Sequence, residues 1–156
     1  MNSPIDVLDA RVLAVFAEHP RIGVLEASRR LGVARGTVQS RIDRLARDGV
    51  LTGWGPDVDP SALGYPVIAF LTLEIRQGAG HDAVTTHLRT IPELLEAFTI
   101  TGAGDLWCRC VARSNADLQR VIDAVVATDG IVRTSTVIAL ATQIPYRTMP
   151  LVQAAP

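Results

Sequence analysis

Lysine is absent from this 156-residue chain: all 15 basic residues are arginine, set against 16 Asp and Glu, for a net charge of −1. A balance so close to neutral excludes a uniformly basic surface and leaves room only for local patches. Aromatic residues are scarce at 4%, so any core must be built from Val, Leu, Ile and Ala; at 48% hydrophobic there is enough of these to exclude wholesale disorder. No apolar run is long enough to cross a bilayer. The opening residues, Met1 to Asp6, lack the basic stretch and apolar core of a signal peptide. A cytoplasmic protein without a membrane partner is expected. Cysteine is nearly absent too. Cys108 and Cys110 sit one residue apart in an apolar run, so in a strand they share a face, and a disulfide between them would close too small a loop. They read as reduced, buried small hydrophobes; no further cysteine or nearby histidine completes a metal site, and no cofactor is implied.

What is present divides by texture. Residues 1–51 read as three helices. Asp6 followed by Asp9 is a capping-box-like start, and Leu8, Val12, Val15 and Phe16 recur at helical spacing until His19-Pro20 ends the run. Val24 to Leu31 is a second, short helix stopped by Gly32, with Leu25, Ala27, Ser28 and Leu31 along it. The third runs from about Arg35 to Asp48 with Val38, Ile42 and Leu45 inward. Two short helices around a glycine turn, with a longer third element, form a helix-turn-helix. Residues 52–66 are punctuated by glycine and proline and read as a hinge, with one short strand around Trp54 to Val58 giving a winged-helix-like character.

Residues 67–142 alternate. Strands are expected at Val67 to Ile75, Leu94 to Thr101, Leu106 to Ala112 and Ile131 to Leu140, with helices at Asp82 to Arg89 and Asn115 to Thr128. The order βαββαβ is the ferredoxin-like plait, so the fold class is α+β. Both helices then lie on one face of an antiparallel sheet, and a second copy of the chain is the simplest cover for the other: at least a homodimer is expected. Residues 143–156 read as a short, loosely held tail. Trp54 and Trp107 read as single buried aromatics, and His81 and His87 as solvated helix residues.

The basic charge is concentrated. Arg29, Arg30, Arg35, Arg41, Arg44 and Arg47 fall on the second and third helices, opposed by Asp43, whereas much of the acid lies later. Coincidence of a basic face with a recognition element points to double-stranded DNA. Arg35 suits guanine and Gln39 adenine, while Thr37 or Ser40 can bond base or phosphate. Arg44 shares that outer face. Arg30, Arg41 and Arg47 lie better for phosphates. The plain alternative is a solvated helix surface; the turn spacing argues against it.

The stretches Ile5-Asp6-Val7-Leu8-Asp9, Leu31-Gly32-Val33 and Thr37 to Leu45, ending Gly49-Val50-Leu51, resemble the Lrp/AsnC family of leucine- and asparagine-responsive regulators. So do Ile91-Pro92-Glu93, Thr101 to Leu106 and Gly130 to Thr136, in order along nearly the whole chain. Two departures stand out. Ala34 and Gly23 occupy positions that are often serine caps in that family, and Ser114 stands where aspartate is common. The resemblance implies a transcription regulator with a C-terminal module that assembles subunits and binds an amino acid or related small molecule near the loop between the two central strands. Carried onto this chain, that implicates Thr101, Gly102, Gly104 and Asp105, with Thr134 and Thr136 sharing one face of the last strand. The glycines admit backbone N–H groups to a carboxylate, and Asp105 suits an α-ammonium. The competing reading is a tight hairpin, for which Gly and Asp are default residues.

An enzyme is not expected. His19, His81 and His87 are scattered, and Gly102-Ala103-Gly104 lacks the third glycine and the helix of a dinucleotide fingerprint. Two further readings stay open: an effector-independent architectural DNA-binding protein, and a small-molecule module whose first domain contacts another protein.

Overall fold

Helix α1 (Val7–Glu18) begins where Asp6 accepts the Asp9 amide and Asp9 returns the bond to the Asp6 amide, both at 2.9 Å. This computed structural model describes residues 5–76, 78 and 80–155, so Met1 to Pro4 and Pro156 lie outside the described residues. Helix α2 (Val24–Leu31) stops at Gly32, whose φ of 69° is the left-handed conformation that a β-carbon disfavours. Helix α3 (Arg35–Arg47) follows. Val12, Ala27, Leu31, Val38 and Ile42 close a small core between the three, with Leu8, Val15, Phe16, Ile22 and Leu51 around it. Neither Gly23 nor Ala34 supplies a side-chain cap, as their identities foretell. Leu25 is half exposed, so α2 buries Ala27, Ser28 and Leu31 alone.

The chain divides into two compact units, one joining the residues up to Pro56 with those from Ile144, the other running Asp57–Gln143. This differs from the expected layout. The stretch 52–66 belongs partly to each unit, and Trp54 to Val58 form no strand. With Gly53, Gly55 and Pro56 in it and no neighbouring ladder, the segment has nothing to pair with, and a two-stranded wing does not form. Trp54 is not buried: 55% of it is exposed, although its ring meets Phe16 edge-on at 5.1 Å between centroids. The tail is not loose either. Met149–Ala154 form a short helix, α6, which packs on α1. Met149 and Val152, three apart, are its half-buried stripe.

In the second unit, strands β1 (Val67–Ile75), β2 (Leu94–Thr99), β3 (Leu106–Ala112) and β4 (Ile131–Ile138) form one antiparallel sheet in the order β2-β3-β1-β4. Helices α4 (His81–Leu88) and α5 (Asn115–Val126) complete the plait. Strand alternation sorts the side chains. Ala69, Leu71 and Leu73 of β1 and Leu106, Cys108 and Cys110 of β3 turn to the helices and pack with Val84, Leu88, Leu118, Val121 and Val125. Both cysteines are free and fully buried, and burial pushes each thiol up to about 11. Ser114 caps α5 by accepting the Asp117 amide at 3.0 Å, so the departure from aspartate keeps the cap. His87 is not on a solvated face; its Nε2 lies 2.8 Å from the Ala124 carbonyl and ties α4 to α5.

On the other face of the sheet, Phe70 and Trp107 stack at 4.8 Å and Phe98 lies 6.0 Å from Trp107. Trp107 is thus the centre of an aromatic strip rather than an isolated buried ring. Half of Phe98 and most of Val137 remain exposed there.

Candidate DNA-binding helix and effector loop

Three buried residues, Val38, Ile42 and Leu45, fix the rotation of α3 about its axis. That rotation leaves Arg35, Gly36, Gln39, Ser40, Asp43 and Arg47 exposed and Thr37, Arg41 and Arg44 half-buried. Arg35 at the N-terminal end has no hydrogen-bond or ion-pair partner among the described residues. Gln39 donates to Asp43 at 2.8 Å and the Ser40 hydroxyl to the Thr37 carbonyl at 3.0 Å, so both are tied locally.

The acidic opposition is larger than Asp43. Glu26 of α2 lies 3.6 Å from Arg29 and 3.5 Å from Arg30, which also meets His19. More consequential is Asp9, which has no exposed surface. It accepts hydrogen bonds from Arg44 and, at 3.0 Å, from Arg41, and Arg41 also bonds Asp6. Burial opposes ionisation of Asp9, but the bonds from Arg44, the Asp6 amide and Arg41 outweigh it and hold its carboxyl below the usual range. Asp6 is held down to about 2, chiefly by Arg41 and then by the Asp9 amide. Arg41 and Arg44 are therefore cross-links from α3 to α1 as well as surface cations. The capping-box signal at Asp6 and Asp9 marked a helix start, and nothing in a linear reading pointed those carboxylates at residues 35 positions away. A concavity of about 540 Å³ opens over this cluster, lined by Asp6, Ser40, Arg41, Asp43, Arg44 and Arg47.

In the other unit, the loop Thr101 to Asp105 turns with φ of 109° at Gly102 and 108° at Gly104. A β-carbon at Gly104 would stand 2.5 Å from Thr72 Cγ2 and 3.2 Å from the Leu73 carbonyl, whereas none of that crowding exists at Gly102. Asp105 explains why the loop lies so close. Its amide donates to Leu73 O at 2.8 Å, and its carboxylate accepts the Ile75 amide at 2.6 Å. The β1–β3 ladder ends at Leu73 opposite Leu106, and Asp105 takes up the next outward N–H of β1. Gly104 and Asp105 thus pin the loop, and the hairpin reading accounts for both. Thr101 and Gly102 are exposed.

Thr134 and Thr136 do share a face, but it is the helix-covered one, because they stand opposite Leu73 and Leu71. The Thr134 hydroxyl is buried there without a hydrogen-bond partner among the described residues. The residues between them turn to the open face. Arg133 and Ser135 join Thr72, Glu74 and Ala103 around a cleft of about 250 Å³ beside the loop. Arg133 lies 3.6 Å from Glu74, its cross-strand neighbour. The two-residue spacing of Thr134 and Thr136 does not say which face they take; counting outward from buried Ile131 through the irregularity at Glu74/Ile75 is the signal that does.

Residues 5–46 match the AsnC-type helix-turn-helix domain and residues 68–149 the Lrp/AsnC ligand binding domain. The chain is 30% identical to the regulatory protein AsnC of Escherichia coli K12 over 140 residues, 89% of this chain and 92% of that protein. It is 26% identical to the HTH-type transcriptional regulator FL11 of Pyrococcus horikoshii over 151 residues, 97% and 99% of the two. The solved structure of E. coli AsnC superposes with a TM-score of 0.85 at 28% identity, over 94% of this chain and 99% of that one. A feast or famine regulatory protein of M. tuberculosis, solved in complex with L-methionine, shares the fold at a TM-score of 0.81 and 24% identity, over 92% and 97%. Among the described residues no helix is long and apolar enough to cross a membrane.

Proposed function

This chain belongs to the Lrp/AsnC family of transcription regulators, and from that premise we propose that α3 reads operator sequence while an amino-acid-like effector binds beside the Gly102–Asp105 loop. The observation that carries the reading of α3 is the free Arg35 at its exposed N-terminal end, the part of a recognition helix that meets base edges. Gln39, Thr37 and Ser40 supply further base or phosphate contacts once their local bonds exchange, and Arg30 and Arg47 contact phosphates. Arg41 and Arg44 serve mainly to hold α3 against α1.

For the effector, the cleft of Thr72, Glu74, Ala103, Arg133 and Ser135 is the better pocket, and Thr101 and Gly102 lie in the same loop as Ala103. Arg133 suits a carboxylate and Glu74, rather than the engaged Asp105, suits an ammonium group. Thr134 and Thr136 take no part. A second copy of the chain covers the strip Phe70, Trp107 and Phe98, making the working protein a homo-oligomer, and assembly is the property that an effector at this face alters. No catalysis and no cofactor enter this account, and the cytoplasm is its compartment.

The test is binding of the full chain to its own upstream DNA, with and without a mixture of the twenty amino acids, followed by sedimentation of the same mixtures. The expected result is sequence-preferring binding whose affinity or assembly shifts with the mixture. Binding with no preference among sequences, or no response in either readout, counts against the reading.

A further inference from the structure

We infer that Asp6 is an internal competitor for DNA phosphate: it occupies Arg41 in the free protein and is displaced when the duplex binds. The inference rests on the reading of α3 as the DNA-facing helix. Arg41 and Arg44 face Asp6 and Asp9, so the four groups together carry no net charge. The two acids are not equivalent. Asp9 has no exposed surface, beyond the reach of any partner, whereas 52% of the Asp6 side chain is exposed and lines the concavity with Ser40, Arg41, Asp43, Arg44 and Arg47. An anion approaching Arg41 therefore meets Asp6 as its exposed competitor.

A phosphate oxygen presents the same acceptor to a guanidinium as a carboxylate oxygen does. An exposed ion pair contributes little and is readily exchanged, while the Arg44–Asp9 bond beneath it stays in place. Asp43, the other acid lining the concavity, is bonded to Gln39 instead and pairs with no arginine among the described residues. The arrangement separates two functions in one cluster. Asp9 orients the arginines, and Asp6 masks one of them until a stronger anion arrives. Non-specific affinity is thereby held down without loss of the cross-link that positions α3.

The experiment uses Asp6→Asn in the full chain, because asparagine caps a helix as well as aspartate and removes only the charge. Anisotropy with a labelled 24-base-pair duplex of mixed sequence is followed from 50 to 200 mM KCl for wild type, Asp6→Asn, Arg41→Gln and the double variant, with thermal melts of each. Arg41 contacts a phosphate in both complexes, so Asp6→Asn leaves the number of contacts unchanged, whereas Arg41→Gln removes one and flattens the log–log salt slope by about 0.9 per bound domain. Asp6→Asn should bind several-fold tighter at 50 mM, and Arg41→Gln should lose roughly threefold less affinity than wild type between 50 and 200 mM. In the Arg41→Gln background the substitution should change nothing.

Unchanged affinity for Asp6→Asn, an unchanged slope for Arg41→Gln, or a gain that persists without Arg41, overturns the inference. If Asp6→Asn lowers the melting temperature, Asp6→Ser, which also retains a cap acceptor, is carried through the same series. Weaker binding by both shows that Asp6 positions Arg41 for DNA, which likewise overturns it. Arg47→Ala separates this failure from failure of the underlying reading. If Arg47→Ala binds like wild type at every salt concentration, α3 does not face DNA and both fall together.

Discussion

Arg44 of α3 donates to Asp9 of α1, a carboxylate with no exposed surface. Asp9→Asn should destabilise the DNA-binding unit by about 2 kcal/mol, since hydrogen bonds to a charged group are lost where water cannot replace them. Arg47→Ala, on the same helix but 71% exposed and beside Asp48, should leave thermal stability unchanged and reduce DNA affinity. Melting curves and binding isotherms on the two variants separate them. Equal loss of stability in both would remove the distinction between structural and DNA-facing arginines.

Acid should unfold this unit through the same carboxylates. Asp6 is lowered from 3.8 to about 2 and Asp9 is lowered as well. A depressed carboxyl favours the folded state above its ordinary range and loses that contribution as protons bind the native form. Stability should therefore be flat above about pH 5 and fall between about pH 4 and pH 2. In Asp6→Asn the fall should be shallower. Denaturant melts across this range measure it, and a profile identical in the two proteins contradicts the assignment.

The missing cap at Ala34 invites a gain. Its φ of −64° and ψ of 145° already suit a capping residue, so Ala34→Ser should stabilise the unit by about 1 kcal/mol. Gly23→Ser should add only a few tenths. No change on Ala34→Ser would mean that the start of α3 differs from the one described.

At the loop, Gly104→Ala should cost about 2 kcal/mol or more, because its backbone strain is joined by collision with Thr72 and Leu73. Gly102→Ala meets the same positive φ without the collision and should cost less. Thermal melts that rank the two in the opposite order would contradict the close packing of the loop on β1.

The thiols of Cys108 and Cys110, raised to about 11 by burial, should be inert to a disulfide reagent at pH 8 and react fully on unfolding. Rapid labelling of the native protein would show that the helix-covered face opens readily.

Much of the fold was legible because its signals are local. Helix ends at Gly32 and Ser114, the 3.6-residue stripe of Val38, Ile42 and Leu45, and the alternation along β1 each depend on a few neighbouring residues. Contacts made across the chain were not. Asp9 reads as half of a helix start, and its reach to Arg41 and Arg44 exists only after α1 and α3 pack. Thr134 and Thr136 share a face as their spacing predicts, but two-residue periodicity gives a pairing of side chains and not the direction they point, here toward the helices. Trp54 reads as core by size alone, yet its segment has no layer above it. The α6 stripe spans too few residues to show a period.

The central claim is that α3 reads base identity through Arg35, and one measurement tests it most directly. Operators are selected from a random duplex pool by the wild-type protein, and affinities for every single-base variant of the best one are then compared for wild type and Arg35→Ala. Arg35→Ala should lose about tenfold or more of the discrimination at one guanine-bearing position per half-site, with preferences elsewhere retained. Uniform weakening across all variants, or an unchanged profile, would contradict it.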